Sequence, residues 1–333
     1  MAKATVMRCI GISEYGGIDK LALIKRPIPI PKATQILIET VGIGVNRSDI
    51  YQRLGQYPAP SGASDIMGLE VSGYVRAVGS DVTEWTIGEP VCALLDGGGY
   101  AEYAIAEEGC CMPVPNGVLL TEAATLPETV LTVWHNIFQR GNIKSGDSVL
   151  IHGGASGIGT TAIQLCKAFN TEVIVTAGSD KKCKACLELG ADMAINYKTE
   201  DFQEKIRTKS SKGVDLILDM VGGHYIQKNI KCLRPDGTLL FIGFLDRSKA
   251  EVDFMSVMLK RITITGSTLR SRPLDIKTQL RNEVVSKVWD KVEAGFVKPI
   301  VNKIFPLEMA AEAHKLMEEN EQIGKILLVP KFT

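Results

Sequence analysis

In the first third of the chain apolar positions come in short runs broken by glycine and proline. Between residues 7 and 115 the breaks include Arg26-Pro27-Ile28-Pro29-Ile30-Pro31, Gln56-Tyr57-Pro58-Ala59-Pro60 and Asp96-Gly97-Gly98-Gly99. Short runs separated by turn residues predict a compact, loop-rich β domain. The texture changes near residue 125. From Ser148 onward, apolar runs of strand length alternate with helical stretches: Ser148-Val149-Leu150-Ile151-His152, a helix, Glu172-Val173-Ile174-Val175-Thr176, and a helix again. Further runs follow at 193–197, 214–220, 237–244 and 262–269. Buried strands alternating with helices are βαβ units, and six of them in this order predict an α/β, doubly wound parallel sheet. A charged helix at 277–294, a short strand at 300–305, a helix from Leu307 and a last strand at 324–329 form a tail that is expected to return to the first domain. The resulting division is 1–125, 126–270 and 271–333.

Length agrees with this division, since 333 residues at about 150 per domain give two domains. Lys plus Arg (38) balance Asp plus Glu (38), so no whole-chain field points to nucleic acid or an anionic membrane. The longest apolar stretch, 239–245, is far below the ~18 residues of a membrane span, and residues 1–17 lack the pattern of a secretory or transit leader. A soluble cytoplasmic protein is expected. Eight cysteines without repeated pairing fit reduced thiols rather than a disulfide scaffold. Cys183 and Cys186 form a lone C-x-x-C with no second pair, which reads as one face of a helix rather than a zinc site.

The chemistry starts at the first turn of the sheet, His152-Gly153-Gly154-Ala155-Ser156-Gly157-Ile158-Gly159-Thr160. It follows a strand and opens a helix. Glycine lets the chain turn sharply there and lets backbone amides approach a pyrophosphate, while the helix start supplies unpaired N–H groups. The helix carries Ile158, Ala162, Leu165 and Phe169 on one face, so the whole βαβ context supports dinucleotide binding. The tip of the second strand reads Thr176-Ala177-Gly178-Ser179-Asp180-Lys181-Lys182. An acidic residue at that tip would bind the ribose 2′-hydroxyl of NADH. Here a serine and two lysines favour the 2′-phosphate of NADPH, with Asp180 one rotation from the ribose.

The motifs Asn46-Arg47-Ser48-Asp49, Gln52-Arg53-Leu54-Gly55-Gln56-Tyr57, Gly62-Ala63-Ser64, Ala177-Gly178-Ser179 and Leu269-Arg270-Ser271-Arg272 resemble the medium-chain dehydrogenase/reductase superfamily, in its zinc-independent quinone oxidoreductase (zeta-crystallin) branch. The resemblance covers nearly the whole chain. It implies a GroES-like catalytic domain at 1–125, a Rossmann domain at 126–270, and a nicotinamide ring held between them. It also implies that Asn46 and Tyr51 line the nicotinamide and substrate, with Thr132 beside them at a helix start. Ala155, Ser156, Gly157 and Ile158 would cradle the pyrophosphate. Gly178, Ser179, Lys182 and Tyr197 would surround the 2′-phosphate, with Tyr225 on the adenine side. Ile242, Gly243, Phe244, Ser267, Thr268 and Leu269 would flank the nicotinamide ribose, and Lys325 would reach the cofactor from the last strand. For Ile242 and Leu269, core packing is the main expected role.

The sequence departs from the zinc-dependent relatives where they bind metal. Asn46 stands at their first-ligand cysteine, and their Gly-His-Glu reads Gly68-Leu69-Glu70 here. A catalytic zinc needs three protein ligands, and leucine is none. Glu70 is then expected to be a paired, buried carboxylate. Without a metal the cofactor supplies the hydride, and an electron-poor acceptor such as a quinone suits that limitation. Tyr51 and Asn46 are the candidate donors to the developing oxyanion, and Tyr57 a candidate gate. Two other readings stay open: reduction of an activated double bond, as in 2-alkenals, and a non-catalytic NADPH-binding role. The alternating strand at 261–269 suits an edge that pairs with a second chain, and the resemblance implies a homodimer.

Overall fold

A computed structural model describes residues 5–331. The outermost residues of the 1–125 and 271–333 assignments lie outside the described residues. In chain order the first elements are β1 (Val6–Ile12), β2 (Leu21–Pro27), β3 (Gln35–Val45), α1 (Arg47–Arg53), β4 (Glu70–Val78), β5 (Pro90–Leu94), β6 (Tyr103–Glu107), β7 (Cys111–Pro113), α2 (Leu120–Ala123) and α3 (Leu126–Val133). A π-helical segment, Trp134–Arg140, continues α3. Strands β8 (Ser148–His152), β9 (Glu172–Ala177), β10 (Met193–Asn196), β11 (Val214–Asp219), β12 (Leu233–Phe241) and β13 (Thr263–Gly266) alternate with α4 (Gly157–Ala168), α5 (Asp180–Glu188), α6 (Phe202–Lys209), α7 (Tyr225–Cys232) and α8 (Met255–Lys260). The tail supplies α9 (Leu274–Glu293), β14 (Val301–Pro306), α10 (Ala310–Glu319) and β15 (Lys325–Val329).

The chain forms two compact units. One is built from the chain up to Leu131, from Leu269–Ala294 and from Pro299 onward; the other comprises Thr132–Thr268 and Gly295–Lys298. In the first, a seven-stranded sheet runs β14-β15-β3-β4-β5-β7 with β6 also on β3, beside the hairpin β1-β2. Its antiparallel strands bury alternate residues such as Ile36, Ile38, Val71, Val75 and Val91, and the tail contributes Phe305, Ile326 and Leu328 to the same core. The last strand is internal to this sheet, with β14 on one side and β3 on the other.

The second unit is a six-stranded parallel sheet in the order β10-β9-β8-β11-β12-β13. Counted within the unit this is 3-2-1-4-5-6, the doubly wound order, with its switch point between β8 and β11. Val149, Leu150 and Ile151 are fully buried, as expected for a strand covered on both faces. Two strands differ from the sequence reading. The β12 strand begins at Leu233 because that residue pairs with Val214 ahead of a register shift, and it ends at Phe241. The β13 strand is only four residues long, because pairing stops where β12 ends, at Phe241 opposite Gly266. Residues 242–244 and 267–269 therefore lie beyond the carboxyl ends of their strands.

Candidate active site

The nucleotide side of the site is set by the β8–α4 turn. Ser156 caps α4 by accepting a hydrogen bond from the Gly159 amide at 3.0 Å, and its own amide donates to Gly153 O at 2.9 Å. The Gly157 and Ile158 amides occupy the first helical turn, where no intrahelical carbonyl is available, so they can face an anion. A Cβ on Gly159 would stand 2.3 Å from Gly153 O and 2.5 Å from Gly154 O, so only glycine lets the helix start this close to the turn. Ala155 is buried beneath it.

At the end of β9, Gly178 is covered by Tyr197. A Cβ there would meet the Tyr197 hydroxyl at 2.7 Å. Ser179 caps α5 by accepting from the Lys182 amide at 3.3 Å. The two lysines of the sequence reading separate: Lys181 is exposed, whereas Lys182 is only 9% exposed. Asp180 is held by Asn196, whose Nδ2 donates to Oδ1 at 2.7 Å. The structure thus brings Gly178, Ser179, Lys182 and Tyr197 together around one strand end. This cradle and the open helix start fit a dinucleotide.

Other positions are placed differently. Tyr225 is buried in an aromatic group with His152, Phe202 and His224, the ring centroids 4.7–4.9 Å from its own. Thr132 lies in the last turn of α3 rather than at a helix start, because that helix already begins at Leu126. Asn136, which sequence reasoning missed, joins Thr132 to the β13 end: its Nδ2 donates to Thr132 O at 2.8 Å and its Oδ1 accepts from the Ser267 hydroxyl at 2.6 Å. Ile242 and Gly243 are half-buried, Phe244 is exposed, and Leu269 is buried as a packing residue. Thr268 joins Ser267 just past β13.

In the other unit, Asn46 is the N-cap of α1, and its amide N–H donates to Asp49 Oδ2 at 2.8 Å. Its side chain is fixed from both ends. Oδ1 accepts from Lys325 Nζ at 2.6 Å, and Nδ2 donates to Glu70 Oε1 at 3.0 Å. Lys325 also donates to Glu70 Oε1 at 2.5 Å and to Val45 O at 3.0 Å. Lys325, the residue that the resemblance implies for the cofactor, is thus placed against Asn46 with a protein acceptor for each ammonium proton. Glu70 is fully buried and paired, as the sequence implied, and its Oε2 accepts from the Glu128 amide at 2.8 Å. Tyr51 is half-buried on α1. Beneath it a buried chain runs from Asp49 Oδ2 to the Tyr100 hydroxyl (3.1 Å), to His314 Nε2 (3.0 Å), and from His314 Nδ1 to Arg53 (3.4 Å). Burial raises the Asp49 carboxyl to about 6. Burial, with Arg53 and Arg47 nearby, lowers His314 to about 3.

Two further side chains escaped the sequence reading. Arg270 donates to Gln52 Oε1 and to Asp96 O, both at 2.9 Å, and its guanidinium lies 5.2 Å from the Tyr57 ring centroid, so it pins the candidate gate. Glu128 is half-buried in the first turn of α3, its carboxyl raised to about 7 by burial and then by Glu70. The motif around Arg270 was visible in the sequence; nothing marked Glu128. Among the described residues no cluster of three His, Cys, Asp or Glu side chains is arranged to hold a metal ion, and no helix is long and apolar enough to cross a membrane.

Comparison with known proteins agrees with this architecture. Residues 32–116 match the alcohol dehydrogenase GroES-like domain family, and residues 157–286 match the zinc-binding dehydrogenase family. The chain is 30% identical to the quinone oxidoreductase of Rattus norvegicus, over 97% of this chain and 98% of that one. It is equally 30% identical to the synaptic vesicle membrane protein VAT-1 homolog of Danio rerio, over 96% of this chain and 69% of that protein. The solved structure of Escherichia coli quinone oxidoreductase complexed with NADPH superimposes with a TM-score of 0.86 at 27% identity, covering 98% of this chain and all of that one. With this likeness over nearly its full length, and with one doubly wound unit and one GroES-like β unit, the chain belongs to the medium-chain dehydrogenase/reductase superfamily of oxidoreductases.

Proposed function

We propose that the chain reduces quinones with NADPH, without a metal, as a cytoplasmic homodimer. The observation that carries this reading is the Asn46 amide held between Lys325 and Glu70. The position of a metal-ligating cysteine in the zinc-dependent relatives is here a neutral hydrogen-bonding group, and the buried carboxylate beside it already has its counter-charge. The eight cysteines are all free thiols, which supports a reducing compartment.

When bound, NADPH supplies a hydride. The Gly157 and Ile158 amides, with Ala155 and Ser156, would hold its pyrophosphate, and Gly178, Ser179, Lys182 and Tyr197 would receive its 2′-phosphate. Thr132, Ile242, Gly243, Phe244, Ser267, Thr268 and Leu269 would flank its nicotinamide ribose, and Tyr225 would lie on the adenine side. Oxygen of the quinone gains negative charge as hydride arrives at the ring, and donors aimed at it lower that barrier. The Tyr51 hydroxyl donates while neutral, and Asn46 Nδ2, whose second N–H makes only a long 3.5 Å bond to Gly44 O, donates it to the acceptor without titrating. Lys325 and Glu70 act through Asn46 by fixing which way its amide points.

An acceptor panel tests this. NADPH oxidation should be fast with quinones, slower with a 2-alkenal and negligible without acceptor. Tyr51→Phe should lower quinone turnover by about 10-fold with NADPH affinity unchanged, a smaller loss than an oxyanion-hole deletion because water also protonates quinols. Tight NADPH binding without oxidation by any acceptor would favour the non-catalytic reading, and faster turnover of the alkenal would favour double-bond reduction.

A further inference from the structure

One buried carboxylate fastens two groups of the catalytic unit at once. Glu70 binds Asn46 and Lys325 through Oε1, and through Oε2 it accepts the backbone amide of Glu128. The Glu128 side chain is thereby held one residue's backbone away from the group that orients Asn46. It is half-buried, and no protein donor hydrogen-bonds to its carboxyl among the described residues. The charged groups around it come from four elements: Glu70 on β4 and Asp49 on α1 oppose its ionisation, whereas Lys325 on β15 and Arg270 ahead of α9 favour it. Its own charge is felt by Tyr57, the ring that Arg270 pins.

An acidic residue in the first turn of a helix ordinarily serves as an anion, stabilised by the helix dipole. Here burial and the two neighbouring carboxylates outweigh that effect, and the group titrates near neutrality, where a proton donor is most effective. A carboxyl without a protein donor that titrates near neutrality, on a backbone tied to the residue that orients Asn46, has no structural task that glutamine would not perform.

We propose that Glu128 is the acid that delivers the proton completing reduction of the acceptor. This rests on the reading that the chain reduces quinones with NADPH. The quinone gains two electrons with the hydride, and NADPH is oxidised to NADP+. The second hydrogen arrives as a proton: the Glu128 O–H bond breaks as the hydroquinone O–H bond forms, and the carboxylate regains its proton from water.

Glu128→Gln keeps the shape and the backbone bond to Glu70 but has no acidic proton. Wild-type kcat with saturating quinone should fall as pH rises through about 7, while the variant should be about 10-fold slower below pH 7 and flat across it. Thermal unfolding at pH 7 should come no earlier than in wild type, since glutamine has no charge to bury, and NADPH affinity should match. Infrared difference spectra of the unliganded proteins should show a carboxylic acid band that disappears through the same pH range in wild type and is absent from the variant. A variant with wild-type rate and pH profile, or a Glu128 already ionised well below neutrality, would overturn the proposal alone. A wild type that oxidises NADPH with no quinone would overturn the quinone reading and this proposal with it.

Discussion

Lys182 illustrates how much one side chain's surroundings add to its place in the sequence. Two adjacent lysines follow β9, but only Lys182 is buried, with its amide bonded to the Ser179 hydroxyl and Tyr197 nearby over Gly178. A buried ammonium beside a hydroxyl-lined strand end is the better phosphate ligand, because little solvent screens it. Lys182→Met removes the charge without burying a carboxylate. Cofactor titration should then show the NADPH-over-NADH affinity ratio reduced by about 10-fold or more, as a charge-assisted hydrogen bond contributes about 1.5–3 kcal/mol. Equal affinities in the wild type would refute NADPH selection. The strand-tip serine and lysines could be read from the sequence because they are consecutive. Arg270 could be quoted but not explained, since Gln52, its partner, lies 218 positions away. Likewise nothing local to Lys325 shows that Glu70, 255 positions away, pairs with it.

Helix α1 carries Asn46 at its cap and Tyr51 on its second turn, and its underside is tied to α10. Arg53 is buried, binds Glu318 on α10 at 2.5 Å, and donates to His314 Nδ1. That bond leaves the His314 proton on Nε2, facing the Tyr100 hydroxyl, which in turn donates to Asp49. The ring is neutral in the folded protein, with its value lowered to about 3. The unfolded chain takes up that proton below about pH 6.5, so stability is fully present above 6.5 and is lost as pH falls toward 3. Chemical denaturation at pH 4–6 should show the His314→Gln variant losing stability less steeply than wild type, by about 1.4 kcal/mol per pH unit. Parallel slopes would mean that the folded protein protonates His314. The βαβ elements were legible because strand and helix periods are local. The strand lengths were not: β12 and β13 end where pairing with each other ends, and a single strand's residues do not record that.

At the scale of the molecule, β13 ends the parallel sheet with one edge unpaired among the described residues, and Ile264 on it is 38% exposed. The preceding helix α8 exposes Met255, Met258 and Leu259, with Phe254 at its cap. An apolar edge of this kind is a site for strand addition. Light scattering should report twice the chain mass at micromolar concentration, and Ile264→Lys should shift it toward monomer without altering NADPH affinity. A wild type that stays monomeric would refute the homodimer.

The placement of β15 also fixes an order of events during synthesis. A ribosome adds about 5–20 residues per second. Once Gly266 has emerged, every strand of the parallel sheet exists, whereas β3 still lacks the neighbour that pairs with residues 43–45. Until Lys325 appears, Glu70 has no counter-charge and Asn46 no donor for its Oδ1. A nascent chain paused within α10 therefore carries all six strands of one sheet together with an open, anionic seam in the other. That seam is what β15 closes, so the GroES-like sheet is completed only after every strand of the Rossmann sheet has been made.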